Sequence, residues 1–355
     1  MQIPNLQIGA TTIAIPIVQG GMGVRISLAS LASAVANEGG LGTISSIGLG
    51  DLEDSKTEYE KMSREALAAE IRKARGMTDG ALAVNFMGVL SNVDDLIRLA
   101  VSEGIKVIVY GAGIPTKLPS LVPDPGVSLV PIVSSARVAD LILRTWDKRF
   151  QRLPDAFILE GPLAGGHLGF SPEQLEHPEE YSLEILLPQL LEATKPFEDK
   201  HGQRIPIIVA GGIYTGRDIA RMLSLGAAGV QMGTRFVATE ECDAAPEFKQ
   251  AFLDAIQEDI VIIQSPVGMP GRAIRNRFLE DLEAGSLPGL QCPYRCLTAC
   301  QIATARYCIA EALVNSALGH MNQGLIFCGA NAYRVDHILS VKQLIQELLT
   351  ELEAA

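Results

Sequence analysis

The sequence predicts an α/β protein, a closed (β/α)8 barrel of the TIM type with a smaller helical lid domain. Three observations carry this expectation. Eight short apolar runs rich in β-branched residues alternate with helical patterns between Ile15 and Met232, as strands buried on both faces of a parallel sheet do. The core has to be packed from Ala, Val, Ile and Leu, because 48% of the 355 residues are hydrophobic while only 5% are aromatic, and 34 are glycine. Past Phe236 the alternation stops, and helical patterns continue without a convincing strand.

The strand candidates are Ile15–Gln19, Leu41–Ser45, Ala81–Met87, Lys106–Tyr110, Ser128–Ser134, Ala156–Glu160, Ile205–Ala210 and Gly229–Met232. Helices are expected at Leu28–Asn37, with Ser27 as its N-cap, and at Lys56–Arg75, Val93–Glu103, Ala136–Asp147, Leu183–Thr194 and Arg217–Leu225. The proline-rich link Gly113–Pro125 holds at most a short helix. Eight units favour a closed barrel over an open doubly wound sheet, although strand order itself is not written in a sequence. Residues 237–324 show helical patterns at Pro246–Glu258, Ile274–Glu283 and Ala303–Leu318, which reads as a lid over the barrel mouth. The barrel domain then comprises residues 1–236 and 325–355, with Val341–Leu352 as its closing helix.

Charge narrows the function. The net charge is -12, with no basic block, so nucleic acid is not an expected partner. The opening MQIPNLQIGATTIAIP lacks the basic and apolar regions of a signal peptide. No apolar run approaches the roughly 18 residues that a membrane span needs. A soluble, cytoplasmic protein with a small-molecule substrate is expected, with no membrane partner and with a homodimer as its assembly.

Residues 205–236 carry the most chemistry. IPIIVA reads as a buried strand, and Gly211-Gly212 follow it where a backbone without Cβ lets a ligand come close. The strand Gly229–Met232 ends in a second turn, Gly233-Thr234. Two adjacent strand ends offering backbone N–H groups make a phosphate site, where barrels of this type often hold one. Two ordinary turns are the plain alternative.

Other polar groups are expected on the same rim. The first strand ends in Gly20-Gly21-Met22-Gly23, the third carries Asn85, the fifth ends in Ser134-Ser135 and the sixth in Glu160. Gly165, Gly166, Ala210 and Gln231 complete the predicted cofactor-binding set. A ring with several donors and acceptors joined to a phosphate would use such a rim, and flavin mononucleotide (FMN) is such a molecule. His167, between glycines in AGGHLGF, is the candidate catalytic residue, since an imidazole both takes and gives a proton near neutral pH. The remaining histidines read as surface or structural residues.

The segments IVQGGMG, AVNFM, EGPLAGGHLGF, IVAGGI and GVQMGTRFVATEE, in this order, resemble the nitronate monooxygenase (2-nitropropane dioxygenase) family of FMN proteins. They resemble equally the flavin-dependent enoyl-[acyl-carrier-protein] reductases. The likeness runs over nearly all of residues 13–280. It implies an FMN-bearing barrel in which Met22, Asn85, Gly166, Gly211, Gly212, Gly233 and Thr234 touch the cofactor and His167 faces the substrate. Two substrates follow, an alkyl nitronate oxidised with oxygen or an enoyl thioester or quinone reduced by NAD(P)H. The first turn has Gly21-Met22 where the monooxygenases often have Pro-Met, and GMPGRAIRN resembles the lid of the reductases. In the second case Arg272 and Arg275 hold a phosphate of the pyridine nucleotide or of phosphopantetheine, or else are solvated surface groups.

Cys292, Cys296, Cys300 and Cys308 fall within CPYRCLTACQIATARYC. Zinc or an iron–sulfur cluster is one reading of four neighbouring thiols. The spacing matches no standard site, and three small residues on one face of a helix are the other reading. Cys242 and Cys328 read as core thiols.

Overall fold

Eight parallel strands close on themselves around an apolar interior: β1 (Ile17–Gln19), β2 (Gly42–Ser45), β3 (Leu82–Met87), β4 (Val107–Gly111), β5 (Ser128–Val133), β6 (Phe157–Glu160), β7 (Ile207–Ala210) and β8 (Gly229–Met232). The computed structural model describes residues 3–355 except 51–54, 289, 291, 293, 294, 299 and 301. Strand neighbours follow chain order, and β8 pairs with β1. The ring is completed where the Leu41 N–H donates to Ile17 and the Gln19 N–H to Leu41, both at 3.0 Å. All eight expected strands are present, each within about two residues of its predicted ends.

The interior is filled by Val18, Ala83, Val107, Val109, Val130, Ile158 and Ile208. A short hairpin, Leu6–Ile8 with Thr11–Ile13, plugs the N-terminal end by adding Leu6, Ile8 and Ile13 to this cluster. The Ser128 hydroxyl anchors it through the Ile8 carbonyl at 3.1 Å. Strands of three residues around Gly9-Ala10 were too short to announce themselves in the sequence.

Helices α1 (Ala29–Asn37), α2 (Lys56–Arg75), α3 (Val93–Ser102), α4 (Ala136–Phe150), α5 (Leu183–His201) and α6 (Gly216–Ser224) cover the outside. The link between β4 and β5 holds only the single turn Leu118–Leu121. After β8 the chain leaves the barrel through α7 (Pro246–Asp254), β9 (Ile260–Gln264), β10 (Pro270–Ile274), α8 (Arg277–Glu283) and α9 (Ile309–Ala317). It returns as α10 (Val341–Glu353), which packs against both α6 and α1 and so fills the eighth helix position.

Two expectations need correction. The segment after Phe236 carries its helices, but it also holds the antiparallel hairpin of β9 and β10. Strand β10 is flanked by β9 on one side and by Gly166–His167 and Ile326–Phe327 on the other. Every residue of PGRAI is therefore buried, and no alternation survives to mark a strand. The second correction concerns α1. Ser27 does not cap it; its hydroxyl accepts the Met22 N–H at 2.8 Å. The cap comes from Asp243, whose carboxylate accepts from the N–H groups of Leu28, Ser30 and Leu31 at 2.8–3.2 Å.

A carboxylate at the positive end of α1 thus ties the segment after β8 to the first helix. Asp243→Ala should lower unfolding stability by about 1–2 kcal/mol. Urea denaturation checks this, and a variant as stable as the parent would remove the cap from the account.

Candidate functional site

The C-terminal ends of the strands change character from apolar to polar within one layer. Ala210 is in register with Glu160 on one side and with Gln231 on the other. Asn85 lies two residues beyond the interior-facing Ala83 on β3. Because side chains alternate along a strand, Asn85, Glu160 and Gln231 top the same interior that valines and isoleucines fill below. They form the floor of a cavity of about 300 Å³.

The first turn shapes one edge. The Asn85 amide donates to the Gly21 carbonyl at 3.0 Å. Any side chain at Gly21 would overlap that of Asn85, so glycine is required there. The other amide atom of Asn85, Oδ1, is buried without a partner. Gly21, Met22 and Gly23 all line the cavity, as do Gly165, Gly166 and His167.

The cavity is also lined by Ala210, Gly211, Gly212, Gly233 and Thr234, with Gly233 next to Met22 of the first turn. Gly211 and Gly212 have φ of +100° and +84°, and a Cβ on Gly211 would come within 2.9 Å of the Ala164 nitrogen. None of the N–H groups of Gly212, Gly233 and Thr234 finds a backbone acceptor among the described residues. Asn331, which the sequence did not single out, donates to the Gly212 carbonyl at 2.8 Å and holds this turn in place. Ser134 does not line the cavity. Its hydroxyl donates to the Gly169 carbonyl at 2.9 Å, while Ser135 caps α4.

His167 is fixed by strand pairing. With Gly166 it pairs with Gly271 and Arg272 of β10. Its Nε2 lies 2.8 Å from the Ser265 hydroxyl, and the ring meets the edge of Phe327 at 5.0 Å. Burial pushes its pKa down to about 4, so the imidazole is neutral at pH 7. Burial acts oppositely on Glu160, whose carboxyl is pushed up to about 7. Ser265 was missed because the strands on either side of its turn were missed.

Neither lid arginine is disposed for an external phosphate. Arg272 is buried and its guanidinium donates to the carbonyls of Pro162 and Ala164, bracing the loop before His167. Arg275 is exposed and paired with Glu283 at 3.3 Å. Apolar side chains close the rest of the cavity, among them Tyr59 from α2, Leu90, Leu297, Ile309 and Phe327.

The cysteine segment is not the helix that its spacing allowed. Among its described residues Arg295 has φ of +44° and Leu297 bridges to Leu90. Cys296 is buried against Tyr59, with Cys292 and Cys308 packed beside it, and Cys308 caps α9. Among the described residues no three of His, Cys, Asp and Glu are placed to hold a metal ion. Cys242 and Cys328 are buried. No described helix is long and apolar enough to cross a membrane.

The pattern that defines the nitronate monooxygenase family matches residues 5–96 and 88–351. A Mycobacterium tuberculosis protein named (3aS,4S,5R,7aS)-5-hydroxy-7a-methyl-1-oxo-octahydro-1H-indene-4-carboxyl-CoA dehydrogenase is 32% identical over 271 residues, covering 76% of this chain and 66% of that protein. The chain thus spans just under two thirds of that relative's length. A probable nitronate monooxygenase of Staphylococcus haemolyticus is 26% identical over 301 residues, covering 77% of this chain and 79% of the relative. The structure of FabK from Thermotoga maritima superposes with a TM-score of 0.73 at 29% identity, over 96% of this chain and 93% of the other.

The two shifted groups make opposite contributions to stability. Glu160 favours its neutral form in the fold, so its contribution is full below pH 4.5 and is lost as pH rises to about 7. His167 resists protonation in the fold, so its contribution is full above pH 6.5 and is lost as pH falls towards about 4. Glu160→Gln should therefore gain stability over the parent progressively from pH 4.5 to about 7 and hold that lead above it. Urea unfolding of both proteins across this range measures it; a lead that does not change with pH would refute the assignment.

Proposed function

The chain belongs to the nitronate monooxygenase family, whose members are flavin-dependent oxidoreductases, and on that premise we propose that the cavity binds FMN, with residues 237–324 as its lid. One observation carries this reading. Two glycine turns with unspent N–H groups and a floor with the unpartnered Asn85 Oδ1 share a single cavity. Gly211, Gly212, Gly233 and Thr234 would hold the phosphate through backbone N–H groups. Asn85, Glu160 and Gln231 would meet the heterocycle, flanked by Gly21, Met22, Gly23, Gly165, Gly166 and Ala210. Bound there, FMN supplies a ring that accepts and returns a hydride or single electrons.

His167 faces the substrate in this arrangement. A neutral imidazole, oriented by Ser265, can donate a hydrogen bond to a substrate oxygen or take up a proton from carbon. Strand pairing with β10 fixes the histidine backbone, so its reach is set by the lid. The apolar walls limit access of water to this proton transfer.

For the substrate, the walls favour an acyl group carried as a thioester. Tyr59, Leu90, Leu297, Ile309 and Leu313 offer a surface that an acyl chain would cover and a small nitroalkane would leave empty. The relative named as a carboxyl-CoA dehydrogenase supports the same class. Oxidation of an alkyl nitronate is the second reading, favoured by the family pattern and the staphylococcal relatives.

The purified protein should be yellow and should release FMN, not FAD, on heating. Anaerobic NADH or NADPH should bleach the flavin, and an enoyl thioester should restore its colour. Bleaching by a nitronate alone would select the second reading, and a colourless protein that FMN cannot reconstitute would end both. His167→Ala should keep its flavin yet lose turnover by about 10²–10⁴-fold. Steady-state rates alongside the flavin spectrum decide, and undiminished turnover would take His167 out of the chemistry.

A further inference from the structure

Glu160 raises a question that the flavin reading does not answer. Its carboxyl sits at the C-terminal end of β6, on the cavity floor, and its pKa is governed by burial alone. No Lys or Arg is among the described residues that line the cavity. The buried guanidinium of Arg272 is committed to the carbonyls of Pro162 and Ala164, and that of Arg235 to the Tyr214 carbonyl and Glu347. The other titratable groups on the walls are Tyr59, His167, Cys296 and Cys328, and none offers a positive charge at neutral pH. Glu160 is half-buried and faces the cavity, so a ligand that filled the cavity would leave a carboxylate there with neither water nor a counter-charge, a costly state.

A ligand with a phosphate worsens this. The glycine turns hold the phosphate with N–H dipoles and bring no compensating cation, so a phosphate charge of about -1.5 to -2 enters a cavity that already disfavours anions. The chemistry of the ring points the same way. The edge of an isoalloxazine carries more lone pairs than N–H groups, and an ionised carboxylate can only accept. Asn85 Oδ1 already supplies a free acceptor on the floor. The Gln231 amide is one donor on the floor, a ring edge rich in lone pairs calls for more, and a protonated carboxyl provides one.

We propose that Glu160 remains a neutral carboxylic acid at pH 7 in the loaded protein and donates its O–H to an acceptor on the edge of the flavin ring. This rests on the FMN reading above and deepens it. The residue is a proton-bearing contact of the cofactor, a role unlike that of an ionised acid paired with a base. It also leaves both Glu160 and His167 neutral, so the negative charge in the loaded site belongs to the cofactor.

Infrared difference spectroscopy of the flavin-bound protein in H2O and D2O tests the proposal directly. A carbonyl stretch of a protonated carboxylic acid, moved by deuterium, should be present at pH 7 in the parent and absent in Glu160→Gln. Flavin affinity gives an independent readout. Glu160→Gln keeps a neutral donor and should bind FMN within about twofold of the parent, whereas Glu160→Ala loses the donor and should bind about tenfold more weakly. Absence of the band, or binding by Glu160→Gln at least tenfold tighter than the parent, would show a buried carboxylate and overturn the proposal. A protein that takes up no FMN would instead overturn the cofactor reading itself, and with it this one. Because the spectrum of the parent needs no variant, a misfolded substitution leaves the decision intact.

Discussion

The buried guanidinium of Arg272 lies on the carbonyls of Pro162 and Ala164, and the strand that bears it pairs with Gly166–His167. The glycine-rich loop after β6 has little of its own to bury, so without this contact it would be free to wander. With it, the loop becomes a strand of the lid, and His167 inherits the rigidity of a sheet. Arg272 can act this way because β10 is covered on both sides, which leaves its charge nowhere to go except onto backbone oxygens. The remainder of the site is built outward from this junction, with Ser265 and Phe327 reaching the imidazole from the same sheet.

Electrostatic economy runs through the cavity. The strand ends bring together acceptors, amides and glycine N–H groups, and no fixed cation stands on the walls among the described residues. The two ionisable side chains at its centre are both pushed towards neutrality by burial, one from each direction. Binding of an anionic ligand here would depend on oriented dipoles, whose strength is set by folding geometry and is less sensitive to salt than exposed charges are.

The barrel was legible in the sequence because its strands are continuous apolar runs closed by glycine turns, a pattern that IPIIVAGG displays most plainly. The rim followed from the topology, since Asn85, Glu160 and Gln231 stand where strands end. What escaped was long-range. Asp243 caps a helix more than two hundred positions earlier in the chain, and no local pattern links it to Leu28. The same holds for Asn331 on the Gly212 carbonyl and for Ser265 on His167. Strand β10 was hidden by its own burial, and the i, i+4 spacing of Cys292, Cys296 and Cys300 suggested a helix that Arg295 and Leu297 do not form. Ser134 was chosen by its position at a strand end, but its hydroxyl is spent on Gly169.

The eighth helix of the barrel lies beyond the lid in the chain, and this bears on how the protein is made. Val341, Leu344, Ile345, Leu348 and Leu352 are the side chains that seal the strip between α1 and α6. A ribosome delivers them only after the whole segment that follows β8, a delay on the order of ten seconds at typical synthesis rates. Until then the nascent barrel carries an open apolar seam, although the Asp243 cap is available to α1 soon after β8. The growing chain is thus most prone to association in the interval between its eighth strand and α10. Agents that shelter apolar surface should matter most there, and least once α10 has docked.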